Sequence, residues 1–309
     1  MSHPEVKVRC ACLYRKAIRR LPLAHAMNTS NPPQNLRPVL KWAGGKRKLL
    51  PAIRPMISPS FNRYVEPFLG GGAVLFDVAP STALVNDFNQ ELIDMYSVIR
   101  DSVNELIDVL SSMEVSADTY YEIRAWDRSE NFRETRSPIQ RAARTIYLNR
   151  CGYNGLYRVN AANQSNVPYG RYKNPQICDR ELLINVSNYL SKNKVKLLNE
   201  DFRKTLSRVK SGDFIYADPP YAPLDDALST FTSYTSKGFS LTDLMDLKDG
   251  LDEATDRGAT WVLSNVRSEA TSQLFPTKRY RVQELQVSRP INSKSSGRGA
   301  VTEILVAPK

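Results

Sequence analysis

The sequence predicts an α/β protein interrupted by a mostly helical insertion. Two patterns carry that expectation. Short apolar runs stop on an acidic or amide residue at Glu66, Asp87, Asp218 and Asn265, as strands do when they deliver polar groups to a sheet edge. Between the second and third of these runs, apolar residues recur at i, i+3, i+4 and i+7. Strand–helix–strand alternation on both sides of a helical middle is the pattern of an α/β domain with an insertion.

The elements follow in order. Residues 1–35 stand apart as a basic N-terminal extension, because Lys7, Arg9, Arg15, Lys16, Arg19 and Arg20 face only Glu5. They read as a flexible DNA-binding arm, as residues upstream of a natural start at Met27, or, with less weight, as a transit peptide. Arg63-Tyr-Val-Glu-Pro67 predicts a strand entering Phe68-Leu-Gly-Gly-Gly72, followed by the apolar segment Ala73 to Val78. Ala83 to Asn86 predicts a second strand ending at Asp87. Leu92, Met95, Tyr96, Ile99, Val103, Leu106, Ile107 and Leu110 predict a helical run, and further helix is expected over 117–125 and 138–149. A Gly- and Asn-rich stretch occupies 152–174. Strands resume at Val195 to Leu198, Asp213 to Ala217 and Thr260 to Ser264. Arg279 to Val287 and Ala300 to Val306 alternate like a late hairpin joined by a Gly/Ser-rich loop.

Composition narrows the function. In 309 residues, 41% hydrophobic and 24% charged, wholesale disorder is excluded. No stretch approaches the ~20 apolar residues of a spanning helix. Lys plus Arg exceeds Asp plus Glu by 43 − 32 = 11, which favours a polyanionic partner, nucleic acid before an acidic membrane face. The only histidines are His3 and His25, so histidine-based catalysis in the body of the chain is excluded. Cys10, Cys12, Cys151 and Cys178 lack the spacing of a zinc site, and reduced thiols in a cytosolic compartment are expected.

Three segments carry chemistry. Glu66-Pro-Phe-Leu-Gly-Gly-Gly72 places a Gly-rich turn after a strand, where a ligand can approach the backbone, and Asp87 ends the next strand, where it can accept from ribose hydroxyls. A purely structural turn is the competing reading. Phe76 stands where a hydride-cofactor motif needs its third glycine. Lys41-Trp-Ala-Gly-Gly-Lys46 fails as a phosphate loop, because Leu40 and Arg47 occupy its Gly and Ser/Thr positions. Asp218-Pro-Pro-Tyr221 fixes a rigid corner directly after an apolar strand. There the Asp218 carboxylate and the Pro219 carbonyl can accept from an exocyclic amine while Tyr221 stacks on the ring that carries it.

Together with Leu148-Asn-Arg-Cys-Gly-Tyr-Asn-Gly-Leu-Tyr-Arg158 and Asn166-Val-Pro-Tyr-Gly-Arg-Tyr-Lys173, these segments resemble the Dam-type DNA adenine-N6 methyltransferases over residues 36–309. The DPPY match continues through Ala222-Pro223-Leu224. The resemblance implies a doubly wound, Rossmann-like methyltransferase sheet with an inserted, mostly helical DNA-recognition domain carrying a β-hairpin. It implies a catalytic domain over 36–89 and 179–309 and a target-recognition domain over 90–178. The cofactor would be S-adenosylmethionine, the partner double-stranded DNA, and no metal is expected. Trp42, Lys46, Phe68, Gly70, Gly72, Asp87, Asp201, Phe202 and Asp218 would contact the cofactor. Asp218, Pro219, Pro220 and Tyr221 would form the catalytic corner. Arg158 would read guanine, Leu156, Pro168 and Tyr172 the remaining bases, and Lys41 the first pair, while Tyr153 and Asn154 fill the gap of a flipped adenine. Arg150 and Arg171 complete the expected DNA contacts. The implied target is GATC, and a cytoplasmic monomer is expected.

The recognition region also has its own physical signature. From Thr135 to Cys178 there is no acidic residue, while Arg136, Arg141, Arg144, Arg150, Arg158, Arg171 and Lys173 alternate with tyrosines. Arginines neutralise phosphates and aromatic rings replace the stacking of an extruded base. The alternatives are an N4-cytosine methyltransferase, a DNA-binding protein without catalysis, and an RNA-binding regulator.

Overall fold

A computed structural model describes residues 35–42, 44–221, 238–288 and 300–309. The basic extension before Asn35, the Ala222-Pro223-Leu224 continuation and the Gly/Ser-rich loop at 289–299 lie outside the described residues.

Strands β1 (Arg63–Glu66), β2 (Thr82–Asn86), β3 (Lys194–Leu198), β4 (Asp213–Ala217), β5 (Thr260–Val266), β6 (Tyr280–Ser288) and β7 (Ala300–Pro308) form one sheet in the order β3-β2-β1-β4-β5-β7-β6. The first five are parallel, β7 runs antiparallel to β5, and β6 pairs with β7 as the expected late hairpin. Chain order reverses between β1 and β4, which are in register at Tyr64↔Phe214 and Val65↔Ile215. At such a switch point the loops leaving the two strands diverge to opposite faces and open a crevice at their carboxyl ends.

Strand residues alternate between two cores, because successive side chains point to opposite faces. Tyr64, Val85, Phe214, Tyr216, Val262 and Leu305 join one apolar cluster. Val65, Leu84, Ile215, Leu263, Ile304 and Val306 join the other. Burial on both faces explains why β4 and β5 read as nearly unbroken apolar runs, whereas β3, with its exposed Lys194 and Lys196, alternates.

Helices α1 (Leu50–Ile53), α2 (Ala73–Val78), α3 (Gln90–Asp101), α4 (Val103–Ser112), α5 (Ala117–Ala125), α6 (Phe132–Thr135), α7 (Pro138–Cys151), α8 (Arg180–Lys192), α9 (Phe202–Ser207), α10 (Leu241–Asp256) and α11 (Glu269–Leu274) surround the sheet. The helical run expected from Leu92 to Leu110 is two helices, broken at Ser102 (φ −144°, ψ 46°). The apolar spacing continues across the break because α3 and α4 bury residues in the same core. The start of α7 is set by a capping box between Ser137 and Gln140, with Pro138 in the first turn. The middle of the chain adds a small aromatic cluster of its own, Tyr120, Ile123, Tyr147, Leu148 and Cys151. Beyond α7 the stretch up to α8 makes two isolated antiparallel bridges, Gly152 with Tyr169 and Val159 with Ser165.

Candidate active site

The Gly-rich turn leaves β1 beside the end of β2. Gly70 and Gly72 adopt left-handed backbone conformations (φ +50° and +71°) that a side chain would strain. A Cβ at Gly70 would meet the Trp42 indole at 3.0 Å, so only glycine lets that ring pack on the turn. Asp87 pins the turn from β2: its Oδ2 accepts from Gly70 N (2.8 Å) and its Oδ1 from Asn89 N (2.9 Å). The Tyr96 hydroxyl donates to Gly71 O at 2.9 Å. Burial pushes the Asp87 carboxyl up to about 6, against the two N–H donors that favour its ionised form. Directly after it, Phe88 is 57% exposed, a large flat apolar ring at the sheet edge. Sequence reasoning missed Phe88; its signal was an aromatic next to the strand-ending acid.

Across the switch point, β4 ends at Ala217 and the Asp218 corner follows. The Asp218 side chain is 21% exposed, Pro219 is buried, and Pro220 and Tyr221 are half-buried, so the corner is partly open to solvent. Lys46 meets it from far away in sequence: its Nζ lies 2.8 Å from Asp218 Oδ1, donates to Gly44 O at 3.0 Å and reaches the Tyr221 hydroxyl at 3.5 Å. The same ammonium sits 5.6 Å from the centre of the Tyr221 ring. Lys46 is only 4% exposed. Burial alone would lower its pKa, but Asp218, Tyr221 and Glu303 outweigh it and hold the amine firmly protonated. The Asp218 carboxyl is displaced upward by burial, with Lys46 opposing. Beneath this pair, Tyr64 donates to the buried Glu66 at 2.9 Å, and burial pushes that carboxyl well up.

The remaining residues expected at the cofactor divide. Phe68 and Phe202 pack together at 5.2 Å and share contact with Phe239. Asp201 caps α9 through Arg203 N and pairs with the Arg203 guanidinium at 3.0 Å, so its carboxylate also has a local structural task.

Lys41 and the segment after α7, both expected to meet DNA, are joined through Asn149. That buried amide accepts from Lys41 N and donates to Lys41 O and Gly155 O, each at 2.8 Å, joining the two motifs. The Asn154 N–H donates to the Tyr172 hydroxyl at 2.9 Å, and Lys41 Nζ stands 5.2 Å over the Tyr172 ring. Tyr153, 53% exposed, is fixed by its N–H to Pro168 O at 2.9 Å. Asn154 (φ 55°) and Arg171 (φ 54°) both take left-handed backbone. Pro168 and Arg171 are exposed, and Leu156 is half-buried. Arg158 donates from Nε to Asn166 Oδ1 (2.6 Å) and from Nη2 to Asn166 O (3.1 Å), which leaves its other N–H groups to point elsewhere. Arg150 donates to Val39 O at 2.6 Å, tying α7 to the segment before Lys41.

The acid-free arginine stretch is not uniform. Arg141 and Arg144 turn inward. Arg141 donates to Arg133 O, Arg136 O and Asp94, and Arg144 to Ile123 O, Arg124 O and Asp127. Acidic partners supplied by α3 and by the turn after α5 could not be seen in a local count of charge.

A seven-stranded α/β sheet that brings a Gly-rich turn and an Asp-Pro-Pro-Tyr corner to one switch point defines a methyltransferase of exocyclic amines. The comparisons give the particular family. Residues 42–288 match the family described as D12 class N6 adenine-specific DNA methyltransferase. The chain is 44% identical over 274 residues to the type II methyltransferase M1.LlaDCHI of Lactococcus lactis subsp. cremoris, covering 88% of this chain and 95% of that one. It is 36% identical over 291 residues to the type II methyltransferase M.MjaIII of Methanocaldococcus jannaschii, covering 88% and 98%. It is 32% identical over 278 residues to the DNA adenine methylase of Escherichia coli K12, covering 88% and 95%. The chain belongs to the D12 class of N6 adenine-specific DNA methyltransferases.

Proposed function

We propose that this enzyme moves a methyl group from S-adenosylmethionine to N6 of an adenine flipped out of duplex DNA, within the sequence GATC. The observation that carries the reading is the position of the Asp218 corner: partly open to solvent, held by Lys46, and leaving the strand paired with the one that leads into the Gly70–Gly72 turn. When bound, S-adenosylmethionine supplies an electrophilic methyl carbon on a sulfonium. The residues fit such a group: Trp42, Phe68, Phe88 and Phe202 offer apolar surface, Gly70 and Gly72 an open backbone, and Asp87, Asp201 and Asp218 negative charge for a cation with free hydroxyls. Lys46 anchors Asp218.

The chain's own work is positioning. The Asp218 carboxylate and the Pro219 carbonyl accept from the two N6 protons, which localises the amine lone pair as the nitrogen pyramidalises. The two prolines keep that corner rigid, and Tyr221 stacks on the extruded base. Interactions that strengthen only as the amine pyramidalises raise turnover rather than affinity.

We assign 36–89 with 179–309 to the catalytic part and 90–178 to target recognition, with the bridged segment 152–174 as the hairpin-like reading element. Arg158 reads guanine in the major groove, helped by Leu156, Pro168, Tyr172 and Lys41. Tyr153 and Asn154 fill the vacated stack, and Arg150 and Arg171 meet the backbone. A monomer working in the cytoplasm completes the reading.

Mass spectrometry of nucleosides from two unmethylated duplexes, one containing GATC and one lacking it, each treated with enzyme and S-adenosylmethionine, tests it. N6-methyladenine confined to GATC is expected. N4-methylcytosine, no modified base, or N6-methyladenine at another sequence would each refute a stated part.

A further inference from the structure

We propose that Glu303, on β7 and outside every recognisable motif, is a positioning residue for methyl transfer: it holds Tyr221 by the hydroxyl and draws on the charge of Lys46, so that Asp218 stays available to the incoming amine. The inference rests on the reading of the Asp218 corner given above.

Glu303 pairs with Val266 across the β5–β7 ladder and is 5% exposed. Its Oε1 accepts from the Tyr221 hydroxyl at 3.1 Å. Its Oε2 lies 3.9 Å from Lys46 Nζ and has no hydrogen-bond partner. A buried carboxylate with one unsatisfied oxygen costs stability unless its surroundings use it. Here the use is visible. Tyr221 is half-buried on a chain leaving the sheet, and a fixed hydroxyl holds the far end of its ring in place and so sets where the ring's long axis lies beside a base.

Lys46 has three N–H donors, and they meet Asp218 at 2.8 Å, Gly44 O at 3.0 Å and the Tyr221 hydroxyl at 3.5 Å. With Asp218 as its only anion, the ammonium would lean wholly on the carboxylate that must also accept from N6. Glu303, 3.9 Å from the ammonium, shares its charge and so counters that pull. The charged and titratable groups facing the cluster are Lys46, Asp218, Tyr221, Glu66 and Tyr216.

Glu303→Gln keeps the size and an oxygen for Tyr221 but removes the charge facing Lys46. In steady-state methylation of a duplex oligonucleotide, kcat is expected to fall about tenfold or more, as for losing a charged hydrogen-bonding partner. KM for DNA and for S-adenosylmethionine should stay within about twofold, because only the reacting geometry changes. The acidic limb of kcat should move to lower pH, because a like charge beside Asp218 is gone. Glu303→Asp, which restores the charge, should return the limb toward its wild-type position.

Tyr221→Phe removes only the hydroxyl and should lower kcat without moving the limb; it also tests the contact if Glu303→Gln does not fold. Wild-type kcat in both Glu303→Gln and Tyr221→Phe would overturn the inference. So would a Glu303→Gln loss shared equally by DNA affinity and Tm with an unmoved limb. A wild-type enzyme that forms no N6-methyladenine would instead defeat the underlying reading.

Discussion

The ring of Tyr157 lies 5.2 Å from that of Trp42, centre to centre, with 30° between their planes. Its hydroxyl donates to Asn89 Oδ1 at 3.3 Å, and burial lifts that hydroxyl to about 12, so it remains a donor. Trp42 packs on the Gly70–Gly71 turn, while Arg158 follows Tyr157 directly. One side chain of the recognition segment therefore buttresses the ring beside the proposed cofactor turn. Tyr157→Ala is expected to weaken S-adenosylmethionine binding about 2- to 12-fold, the worth of an aromatic pair of about 0.5–1.5 kcal/mol. Tyr157→Phe keeps the stack and should bind within about twofold of wild type. Titration calorimetry decides: equal affinity for wild type and Tyr157→Ala would make the contact incidental.

Asp218→Asn keeps the shape of the corner but exchanges a carboxylate for an amide. Methyl transfer should become undetectable in a nucleoside assay, while duplex affinity by fluorescence anisotropy stays within a few-fold. Turnover near the wild-type rate would remove Asp218 from the reaction.

Arg158→Ala should relax specificity at one guanine by about 1–3 kcal/mol, the usual worth of a bidentate arginine–guanine contact. Because Asn166 sets the guanidinium, Asn166→Ala should reproduce part of that relaxation. Competition between cognate and single-substituted duplexes reads both. Equal losses on cognate and scrambled DNA would place Arg158 on the phosphate backbone instead.

Arg144 is 5% exposed and paired with Asp127 at 2.6 Å. Arg144→Met leaves that carboxylate to Arg128 and the Ser165 N–H, so the cost falls below the ~3–5 kcal/mol of an uncompensated buried charge. The midpoint of urea unfolding should fall, while the salt dependence of DNA binding keeps its slope. A shallower slope with unchanged stability would return Arg144 to the DNA face.

Asp87 gives a pH signature. Its carboxyl rises from 3.8 to about 6 in the fold, with burial the main cause. The folded state therefore holds this proton more tightly than the unfolded chain. The contribution is fully present below about pH 4 and is lost as pH rises through about 6, amounting to at most about 3 kcal/mol. Asp87→Asn should flatten the stability profile between pH 4 and 7 relative to wild type, measured by denaturant unfolding at each pH. Parallel profiles would exclude the assignment.

The sequence by itself determined the local elements and the chemistry-bearing segments. Short apolar runs read correctly as strands, since composition reports the burial of each side chain. Ser137-Pro-Ile-Gln140 announced the start of α7, because a cap is a contact between near neighbours. The Asp218 corner was legible for the same reason: two prolines act only on adjacent backbone. α8 passed unnoticed although Leu182, Leu183, Val186 and Leu190 share a face behind the Asp179 cap.

Tertiary structure alone decided which distant groups meet. Lys46 was expected at the cofactor through a resemblance, but nothing in Lys46-Arg-Lys48 showed that it is buried against a tyrosine 175 positions away. Glu303 sat inside an ordinary alternating strand until pairing with β5 brought it to the Asp218 corner. Arg141 and Arg144 belonged by count to a DNA-facing stretch, and acids from elsewhere drew them inward. Sheet order and register fix these meetings. A charged side chain carries no local mark of the partner that desolvates with it, because the Coulomb attraction acts on distance in space rather than along the chain.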